Sequence, residues 1–487
     1  KGEEKKAKYL LFARKTDELE PDALYEIKKA FEKGAQVVYF DEDEKGDQGI
    51  SYAMKPELNS FLLESQNYIG TCFAIRREAY EEALAFFREK GLLSSLGEEE
   101  LLYGILLLLC KKECAFGHVA KVLVHRVKEE EKERKEEKEK ERGEEEEGKE
   151  GKEKERGEEK EKGKRGEKEK NFPALSVLSA ALSAFEEGVT VEPGQKRGLY
   201  RVRRRVAGNP LVSLIVPLRD QVGLLKKLVE SLQKSTYENW ELILVDNGSK
   251  EAVTLSYLER LSKENSRVKV IRADVPFNYP LLNNMAFSVS SGEYLVLLNN
   301  DIEVITPSWM EEMLGICSLP QVGAVGAKLL YPDGTVQHAG VVIGLMGVAG
   351  HVLKDLSGRE GGYGNRLLST QEVSSVTGAC LMVKRSVYEQ VGGLDESLAV
   401  AFNDVDFCLK IREAHEKVVF TPYALLTHYE SKSRGLEDTP EKQLRFSKEC
   451  EAFKERWEGF IKEGDPFYSP NLSLRGTDCA LRWKEEV

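Results

Sequence analysis

A run of 43 residues, positions 128–170, contains only Glu, Lys, Arg and Gly and divides the chain into two parts. It holds 20 acidic, 17 basic and 6 glycine residues, so it has no apolar side chain with which to build a core. Glu and Lys at helical spacing favour a solvated helix, but each glycine costs about 1 kcal/mol relative to Ala. We therefore predict a frayed, partly disordered linker between two folded parts.

The charge balance of the whole chain argues against a nucleic-acid-binding protein. The 487 residues include 72 basic and 84 acidic side chains, which gives a formal net charge of -12. Binding to phosphate backbones requires a clustered excess of Lys and Arg, and the nearly balanced linker does not hide one. We expect an acidic enzyme with no nucleic-acid partner.

Cysteine spacing and hydropathy constrain the location of the protein. The eight cysteines include no Cys-x-x-Cys pair, which predicts reduced core thiols rather than a zinc site or a disulfide framework. The longest apolar run, residues 101–110, is about half of the ~20 residues that span a bilayer, and it favours a buried helix. The first residues lack a signal-peptide apolar region. We expect a cytoplasmic protein; docking of this run and the linker on membrane-bound machinery at the inner face of the membrane is the alternative.

The part after the linker alternates apolar strands with amphipathic helices. In chain order the predicted elements are a strand at 212–218, a helix at 223–235, a strand at 241–249, a helix at 252–265, the strand VKVIRAD, a helix at 280–290 and the strand EYLVLLNNDIEV. Repeated strand-helix-strand units of this kind predict a doubly wound, mostly parallel α/β sheet. Such sheets bind ligands at the carboxyl ends of their strands.

Polar and acidic residues follow three of these strands, at Asp220, at Asp246 and at the run Asn299, Asn300 and Asp301. Side chains at the strand ends of an open α/β sheet converge on one crevice, where a hard divalent ion and a diphosphate can bind. The other interpretation is that these residues only cap the turns or helices that follow.

A second group of polar residues lies nearer the C-terminus. Asp404 and Asp406 begin an apolar-periodic helix at residues 402–414, where carboxylates are stabilised by the helix dipole and simple capping is one interpretation. The other is a general base for a hydroxyl nucleophile, which reacts poorly until its proton has an acceptor. His428 follows a predicted strand and precedes a cationic loop with Arg434, an arrangement suited to metal or phosphate contact.

Residues 212–435 resemble a family of known enzymes in eight stretches that occur in the same order. The stretches are VSLIVPLRD, YENWELILVDNGS, PFNYPLLNNMA, GEYLVLLNNDIEV, KLLYPDGTVQHAGVVIG, VTGACLMVKRSVYEQVGGLDE, FNDVDFCLKIREA and HYESKSRG. They resemble family 2 glycosyltransferases with the GT-A fold, in particular the rhamnosyltransferase-like members of O-antigen and capsule biosynthesis. The resemblance implies inverting transfer of a hexosyl or deoxyhexosyl group from a nucleotide-diphosphate sugar to a polysaccharide or lipid-linked glycan.

The resemblance also implies roles for individual residues. Asp404 is the expected catalytic base, and Asp301 and His428 are the expected ligands of Mg²⁺ or Mn²⁺. The donor nucleotide is expected at Pro217, Asp220, Asp246, Asn283 and Asn300, and the acceptor and sugar pocket at Thr377, Gly378, Ala379, Asp406 and Arg434. The chain departs from the family pattern at two positions. Asn299 replaces the first Asp of the Asp-x-Asp metal motif, which points to weaker metal binding, and Asn403 replaces Glu in a Glu-Asp pair.

The part before the linker resembles the second half of another copy of the same domain. The matching stretches are KYLLFARKTDELEPDALYEI, VVYFDEDE, MKPELNSFLLESQNYIG and KVLVHRV. Arg14 and Lys15 stand where such a copy would have its metal acids, and cationic side chains would occupy a divalent-ion site rather than create one. The nucleotide-binding strands expected ahead of them are also not in the sequence. We predict that this half is inactive, as a fragment of a longer product or as a degenerate packing module.

These inferences divide the chain into five segments and leave two other functions open. The segments are a partial glycosyltransferase-like domain at 1–127, the linker at 128–170, a connector at 171–209, the catalytic domain at 210–460 and a C-terminal extension at 461–487. A nucleotidyltransferase or sugar-nucleotide pyrophosphorylase is disfavoured because VPLRDQVG is a poor phosphate-binding loop. A non-catalytic glycan-binding or scaffold protein of a polysaccharide assembly complex is the alternative from another class. The donor sugar, acceptor, linkage and oligomeric state are not specified by the sequence.

Overall fold

The computed structural model describes residues 7–46, 49–127, 172, 174–429 and 439–483. The chain divides into two compact units. Unit 1 comprises Lys1–Leu58, Gln66–Glu187 and Val191–Tyr200, and unit 2 comprises Asn59–Ser65, Gly188–Thr190 and Arg201–Val487. The predicted linker, residues 128–170, lies outside the described residues.

The N-terminal elements form a mixed sheet with helices. In chain order they are β1 (Tyr9–Phe12), β2 (Glu18–Leu19), α1 (Ala23–Glu32), β3 (Val37–Gly46), β4 (Gly49–Ala53), α2 (Ser60–Ser65), β5 (Phe73–Arg76), α3 (Arg77–Glu89), α4 (Glu98–Lys111), β6 (Phe116–Val127), α5 (Leu175–Ser183), β7 (Val189–Pro193) and β8 (Tyr200–Arg204). The sheet of unit 1 has the order β1-β5-β3-β6-β2, with β4 beside β3. Within it β3 and β6 are parallel, whereas β5 runs against both β1 and β3.

Helix α4 contains the apolar run that the sequence predicts to be a buried helix. Every residue from position 102 to position 110 is buried in it. Three glutamates in its first turn and Lys111 in its last turn are favourable partners of the helix dipole. Among the described residues, no helix is both long enough and apolar enough to cross a bilayer. The eight cysteines are all free thiols, as predicted, and six of them are buried.

The larger unit has more elements. After β8 come β9 (Val212–Leu218), α6 (Val222–Leu232), β10 (Trp240–Asp246), α7 (Ala252–Glu264), β11 (Val268–Arg272), α8 (Tyr279–Val289), β12 (Tyr294–Leu298), β13 (Ile302–Val304), α9 (Trp309–Cys317), β14 (Val322–Leu330), β15 (Val336–His338), β16 (Val341–Ile343), β17 (Ala349–His351), β18 (Gln371–Glu372), β19 (Cys380–Lys384), α10 (Arg385–Gln390), α11 (Asn403–Glu413), β20 (Lys417–His428), α12 (Pro440–Arg456) and α13 (Glu458–Glu463). Two short 3-10 helices lie at Leu345–Gly347 and Tyr363–Leu368.

The main sheet of unit 2 has the order β11-β10-β9-β12-β19-β14-β20-β13. The first four strands are parallel to one another, as the repeated strand-helix units predict. Strands β9 and β10 are buried along their whole length, because helices cover both faces of a parallel block. Strand β19 runs against both of its neighbours, so the sheet is mixed beyond β12.

The direction of each strand decides which residues meet at one edge of this sheet. Because β19 reverses the direction once and β14 reverses it again, β14 and β20 point the same way as β12. The carboxyl ends of β9, β10, β12 and β20 therefore share an edge with the amino end of β19. Asn299–Asp301, the residues after β12, lie at this edge together with His428 at the end of β20.

The unit boundaries differ from the predicted domain boundaries in three places. Residues 59–65 belong to unit 2, where the Asn59 side chain donates to the Glu372 carbonyl at 2.9 Å. Part of the predicted connector forms α5, which packs on α4 so closely that a Cβ at Gly104 would lie 2.2 Å from a Val177 methyl. The predicted C-terminal extension is folded into unit 2, because buried Asp465 accepts a hydrogen bond from the Ile343 N–H at 2.8 Å.

Candidate active site

A cleft of about 500 Å³ opens at the shared edge of the unit 2 sheet. Its lining combines residues that the sequence singled out with several that it did not. The lining residues are Pro217, Leu218, Arg219, Asn247, Phe277, Tyr279, Leu282, Asn299, Asn300, Asp301, Gln337, His351, Thr377, Ala379, Val400, Asn403, Asp404, His428 and Arg445. The structure therefore brings seven predicted site residues to one place: Pro217, Asn300, Asp301, Thr377, Ala379, Asp404 and His428.

Asp301 and His428 form a buried pair in this cleft. The pairing of β13 with β20 sets Ile302 opposite His428, and the Tyr429 N–H donates to the Asp301 carbonyl at 2.9 Å. Asp301 Oδ1 lies 3.2 Å from His428 Nε2, but the angles are not those of a hydrogen bond, and this oxygen has no hydrogen-bond partner among the described residues. Asn299 Nδ2 lies 3.4 Å from the same histidine nitrogen. A buried carboxylate oxygen without a donor is favourable only when a cation or a ligand satisfies it.

Asp404 lines the cleft at the start of α11 and is held in place by backbone groups. Its Oδ2 accepts a hydrogen bond from the Gly378 N–H at 2.9 Å, and its Oδ1 accepts one from the Val405 N–H at 2.9 Å. The Tyr279 hydroxyl donates to the Gly378 carbonyl at 2.7 Å, so the Gly378 peptide connects this hydroxyl to the carboxylate. Burial, with a contribution from the Asp404 charge, raises the pKa of Tyr279, which therefore stays a hydrogen-bond donor.

The Gly378 peptide fits between these two side chains because the residue lacks a Cβ. A Cβ at this position would lie 3.1 Å from the Tyr279 hydroxyl oxygen and 3.5 Å from the Asp404 Cβ. Gly378 was predicted in the sugar pocket, and the structure assigns it this supporting position behind Asp404.

Two acids predicted to contact the donor nucleotide are engaged elsewhere. Asp220 Oδ1 accepts hydrogen bonds from the N–H groups of residues 250 and 251, each at 2.8 Å, at the start of α7. These bonds, the Glu251 N–H first, lower the pKa of Asp220. Asp246 is buried, accepts the Ser249 N–H at 2.9 Å and forms an ion pair with Arg272 at 2.5 Å. Neither lines the cleft, and their contacts with the donor nucleotide stay predictions.

Three further predicted residues have other surroundings. Asn283 is buried, and its amide donates to the Tyr279 carbonyl one helical turn earlier at 2.7 Å. Asp406 was predicted in the sugar pocket, but its Oδ1 is fully buried against Arg456 at 2.7 Å and the Trp457 indole N–H at 3.0 Å. It is two positions from Asp404 on the helix and so points away from the cleft. Arg434 lies outside the described residues.

Several cleft residues were not predicted. Asn247, the residue after Asp246, is 2% exposed, and its amide donates to the carbonyls of Ala273 and Val275. Its Oδ1 is thereby directed as an acceptor and lacks a partner in the described part of the chain. Tyr279 belongs to the motif PFNYPLLNNMA, so the sequence indicated that it lies near the site. The sequence did not indicate what its side chain does there. The same holds for Gln337 and His351, which belong to or follow the motif KLLYPDGTVQHAGVVIG.

An α/β sheet of this order, with a carboxylate-histidine pair and a second carboxylate at its carboxyl edge, defines the GT-A class of nucleotide-sugar-binding folds. Residues 213–392 match the family model described as Glycosyl transferase family 2. These residues therefore form a glycosyltransferase family 2 domain, and the resemblance stated from the sequence is confirmed for this domain.

Relatives match beyond this domain. The chain is 35% identical over 474 residues to the O-antigen biosynthesis protein RfbC of Myxococcus xanthus, which covers 96% of this chain and 34% of that protein. It is 50% identical over 289 residues to the uncharacterised protein y4gI of Sinorhizobium fredii, which covers 58% of this chain and 32% of that protein. The chain thus spans about a third of the length of these two relatives.

Solved structures match at the level of the fold. A mannosyltransferase from Pyrobaculum calidifontis, in complex with GDP-Man and Mn²⁺, is similar with a TM-score of 0.41 and 16% sequence identity. The match covers 55% of this chain and 69% of that chain.

Proposed function

We propose that this chain transfers a hexosyl or deoxyhexosyl group, with inversion, from a nucleotide-diphosphate sugar to a polysaccharide or lipid-linked glycan acceptor in cell-surface glycan synthesis. The observation that supports it best is a single cleft that holds both the Asp301–His428 pair and the Asp404 carboxylate. The similarity to RfbC, an O-antigen biosynthesis protein, supports the acceptor class. The particular sugar, including the deoxyhexose implied by the resemblance, stays a prediction.

The residues at the Asp301 end fit a divalent cation. A carboxylate oxygen without a hydrogen-bond partner lies 3.2 Å from an imidazole nitrogen, and both groups are ligands of Mg²⁺ or Mn²⁺. The described residues contain no cluster of three His, Cys, Asp or Glu side chains that could hold a metal ion alone. Cations at phosphate-transferring sites commonly use one or two protein ligands and complete their shell with phosphate oxygens and water. Bound there, the cation would neutralise charge that develops on the departing diphosphate.

Asp404 is the proposed general base. Its carboxylate accepts the proton of the acceptor hydroxyl as that oxygen forms a bond to the anomeric carbon. The bond from this carbon to the diphosphate oxygen breaks on the opposite face, which inverts the configuration and releases the nucleoside diphosphate. Two backbone N–H groups at 2.9 Å hold the carboxylate in place.

The other cleft residues position the two substrates. Pro217 and Asn300 are proposed at the donor nucleotide and diphosphate, and Thr377 and Ala379 beside the sugar. The Tyr279 hydroxyl keeps the Gly378 peptide, and through it the Asp404 carboxylate, in a fixed orientation. Fixed geometry of this kind supplies much of the rate enhancement in two-substrate reactions.

Donor binding by the full chain with and without Mn²⁺ tests the proposal. We expect a manganese-dependent rise in melting temperature with one nucleotide class among UDP, dTDP and GDP sugars, because a ligand that binds only the folded state stabilises it. Asp301→Ala should lose this manganese dependence and about 100-fold in transfer, as expected when charge stabilisation of several kcal/mol is removed.

Asp478→Ala, at an exposed acid of the same unit, serves as the control and should behave as wild type. Wild-type transfer by Asp301→Ala would refute the metal role. If the unaltered chain neither bound nor hydrolysed any donor, the non-catalytic glycan-binding function would replace the proposed one.

A further inference from the structure

The glutamine of β15 is a buried polar side chain that faces the cleft. Gln337 is 5% exposed, lines the cleft and has no hydrogen-bond partner for its Oε1 within the described residues. A buried acceptor left unsatisfied costs about 1–3 kcal/mol. A ligand group that donates a hydrogen bond to this oxygen would recover that free energy.

The strand registers locate Gln337 relative to the Asp301–His428 pair. In the pairing of β14 with β15, Leu330 lies opposite Val336. Leu330 also lies opposite Thr427 on β20, the residue before His428. Gln337 is therefore at the same edge as His428 and separated from it by one strand. The nucleotide end of the cleft, at Asn247, lies on the far side of β12.

The histidine next to Gln337 in the chain is held by hydrogen bonds within the protein. The Thr377 N–H donates to His338 Nε2 at 3.3 Å, so this nitrogen carries no proton. Burial, then the neighbouring His351 and His428, lower the pKa of His338 well below its usual value and keep the ring neutral. Its proton is therefore on Nδ1, which donates to His351 Nδ1 at 2.9 Å. Both ring nitrogens of His338 are therefore engaged within the protein, and His338 is not a partner of the Gln337 oxygen.

From this geometry, and on the basis of the proposed function, we propose that Gln337 binds a hydroxyl group of the transferred sugar of the donor. A sugar hydroxyl can donate a hydrogen bond to an amide oxygen. The amide oxygen repels phosphate oxygens, which are acceptors only, so the diphosphate itself is not its partner. The sugar is the group attached to the diphosphate at the Asp301–His428 end, whereas the nucleoside lies across β12.

This assignment makes Gln337 a determinant of donor specificity. A site that hydrogen-bonds a substrate hydroxyl discriminates against analogues that lack it, because its buried polar groups are then left unpaired. One neutral hydrogen bond corresponds to about a tenfold change in affinity. Loss of the Gln337 oxygen should therefore weaken binding of the nucleotide sugar without affecting the nucleotide.

The experiment compares each nucleoside diphosphate with its sugar, using the full chain and saturating Mn²⁺. Dissociation constants are measured by calorimetry for UDP and UDP-glucose, dTDP and dTDP-rhamnose, and GDP and GDP-mannose. The variants are Gln337→Met, which keeps the side-chain volume but removes the acceptor, and Gln321→Met at an exposed glutamine outside the cleft. An unchanged nucleoside diphosphate affinity shows that the variant is folded and keeps its nucleotide site.

For the nucleotide class that binds, Gln337→Met should raise the dissociation constant of the nucleotide sugar about tenfold and leave that of the nucleoside diphosphate unchanged. Gln321→Met should change neither.

Three results would overturn the proposal. Equal weakening of the nucleotide and the nucleotide sugar would place Gln337 at the diphosphate or in the structural framework. Wild-type affinity of Gln337→Met for every nucleotide sugar, with a raised KM for the acceptor, would place it in the acceptor site. If the unaltered chain binds no nucleotide, the proposed function itself is refuted. This result is distinguishable from failure of the Gln337 assignment, because it is obtained without any variant.

Discussion

The sheet of unit 1 and the second half of the unit 2 sheet have the same strand order but different residues at the edge. Strands β1, β5, β3, β6 and β2 repeat the order and directions of β12, β19, β14, β20 and β13. The registers agree without an insertion, so Arg14, Lys15 and Thr16 stand where unit 2 has Asn299, Asn300 and Asp301. By the same correspondence Arg126 takes the place of His428.

The position of the proposed cation in unit 2 corresponds to an arginine in unit 1. Arg126 Nη2 lies 2.7 Å from Glu42 Oε2, and the Lys55 ammonium lies 3.4 Å from the same oxygen. Gly70, the counterpart of Gly378, has Arg126 Nη2 3.1 Å from the position of a Cβ. In unit 1 a guanidinium therefore occupies the position at which we propose a bound cation in unit 2.

The helix that follows in each unit shows the same difference. In unit 2 the first turn of α11 presents Asp404 to the cleft. In unit 1 Glu99, in the first turn of α4, forms an ion pair with Arg14 at 3.0 Å. Two units can thus share a strand order, which depends on apolar core residues, and differ in the few side chains at the strand ends that form a site. The predicted inactivity of unit 1 rests on those side chains and stays a prediction.

The largest expected effect distinguishes Asp404, at the start of α11, from Glu99, at the start of α4. Asp404→Asn should reduce turnover by about 10²- to 10⁴-fold, because the amide cannot accept the proton of the acceptor hydroxyl. Donor affinity should be retained, since the base does not touch the nucleotide. The matched change in unit 1, Glu99→Gln, should leave both quantities unchanged. Steady-state transfer and donor calorimetry provide the measurements, and near-normal turnover of Asp404→Asn would show that another group is the base.

The second-largest expected effect distinguishes His428, at the end of β20, from Arg126, near the end of β6. His428→Gln should raise the Mn²⁺ concentration for half-maximal transfer by about tenfold, as loss of one ligand interaction of roughly 1.4 kcal/mol implies. Arg126→Gln should leave that concentration unchanged and instead lower the melting temperature, because Glu42 loses a partner at 2.7 Å in a largely buried position. A manganese titration of transfer and a thermal melt distinguish the two outcomes. A changed manganese requirement in Arg126→Gln would contradict the comparison.

The local sequence pattern predicted the strands and helices and part of the candidate site. The strand at residues 212–218 has the predicted bounds, and the helices near it differ by one to three residues at their ends, because apolar periodicity is a local property. Asp301, Asp404 and His428 meet because the directions of their strands follow from the fold. The register of short strands is not local, so the pairing of β15 with β14 that brings Gln337 to the cleft could not be foreseen.

The partners of two predicted site acids could not be foreseen for a similar reason. Asp246 is bound by Arg272, which lies opposite it on β11 and is 26 residues away. Asp406 is bound by Arg456 and Trp457, about fifty residues later on α12 and at its end. A carboxylate near a predicted site can belong to the site or to the framework, and only its distant partner decides between them.

The smallest effect concerns equivalent residues at a β-bulge in each unit. Asp41 lies at the irregularity in the pairing of β3 with β6, in unit 1. Lys328 lies at the corresponding irregularity in the pairing of β14 with β20, in unit 2. Asp41 accepts the Lys55 N–H at 2.8 Å and faces His118 Nε2 at 3.0 Å, so it has charged and polar partners. Lys328 donates to the carbonyls of Gly358 and Leu367, each at 2.8 Å. Burial lowers the pKa of Lys328 to about 8.

Lys328 should therefore make the stability of the protein depend on pH in the alkaline range. Its pKa in the folded state, about 8, is below the value of about 10.4 expected in the unfolded chain. Between these values the unfolded state holds more protons, so the free energy of unfolding rises with pH, by at most about 1.4 kcal/mol per pH unit. Lys328→Met removes this contribution, and the difference in unfolding free energy, wild type minus variant, should increase from pH 8 to pH 10. Denaturant unfolding at each pH measures it; a constant difference would mean that Lys328 has the same pKa in the folded and the unfolded chain.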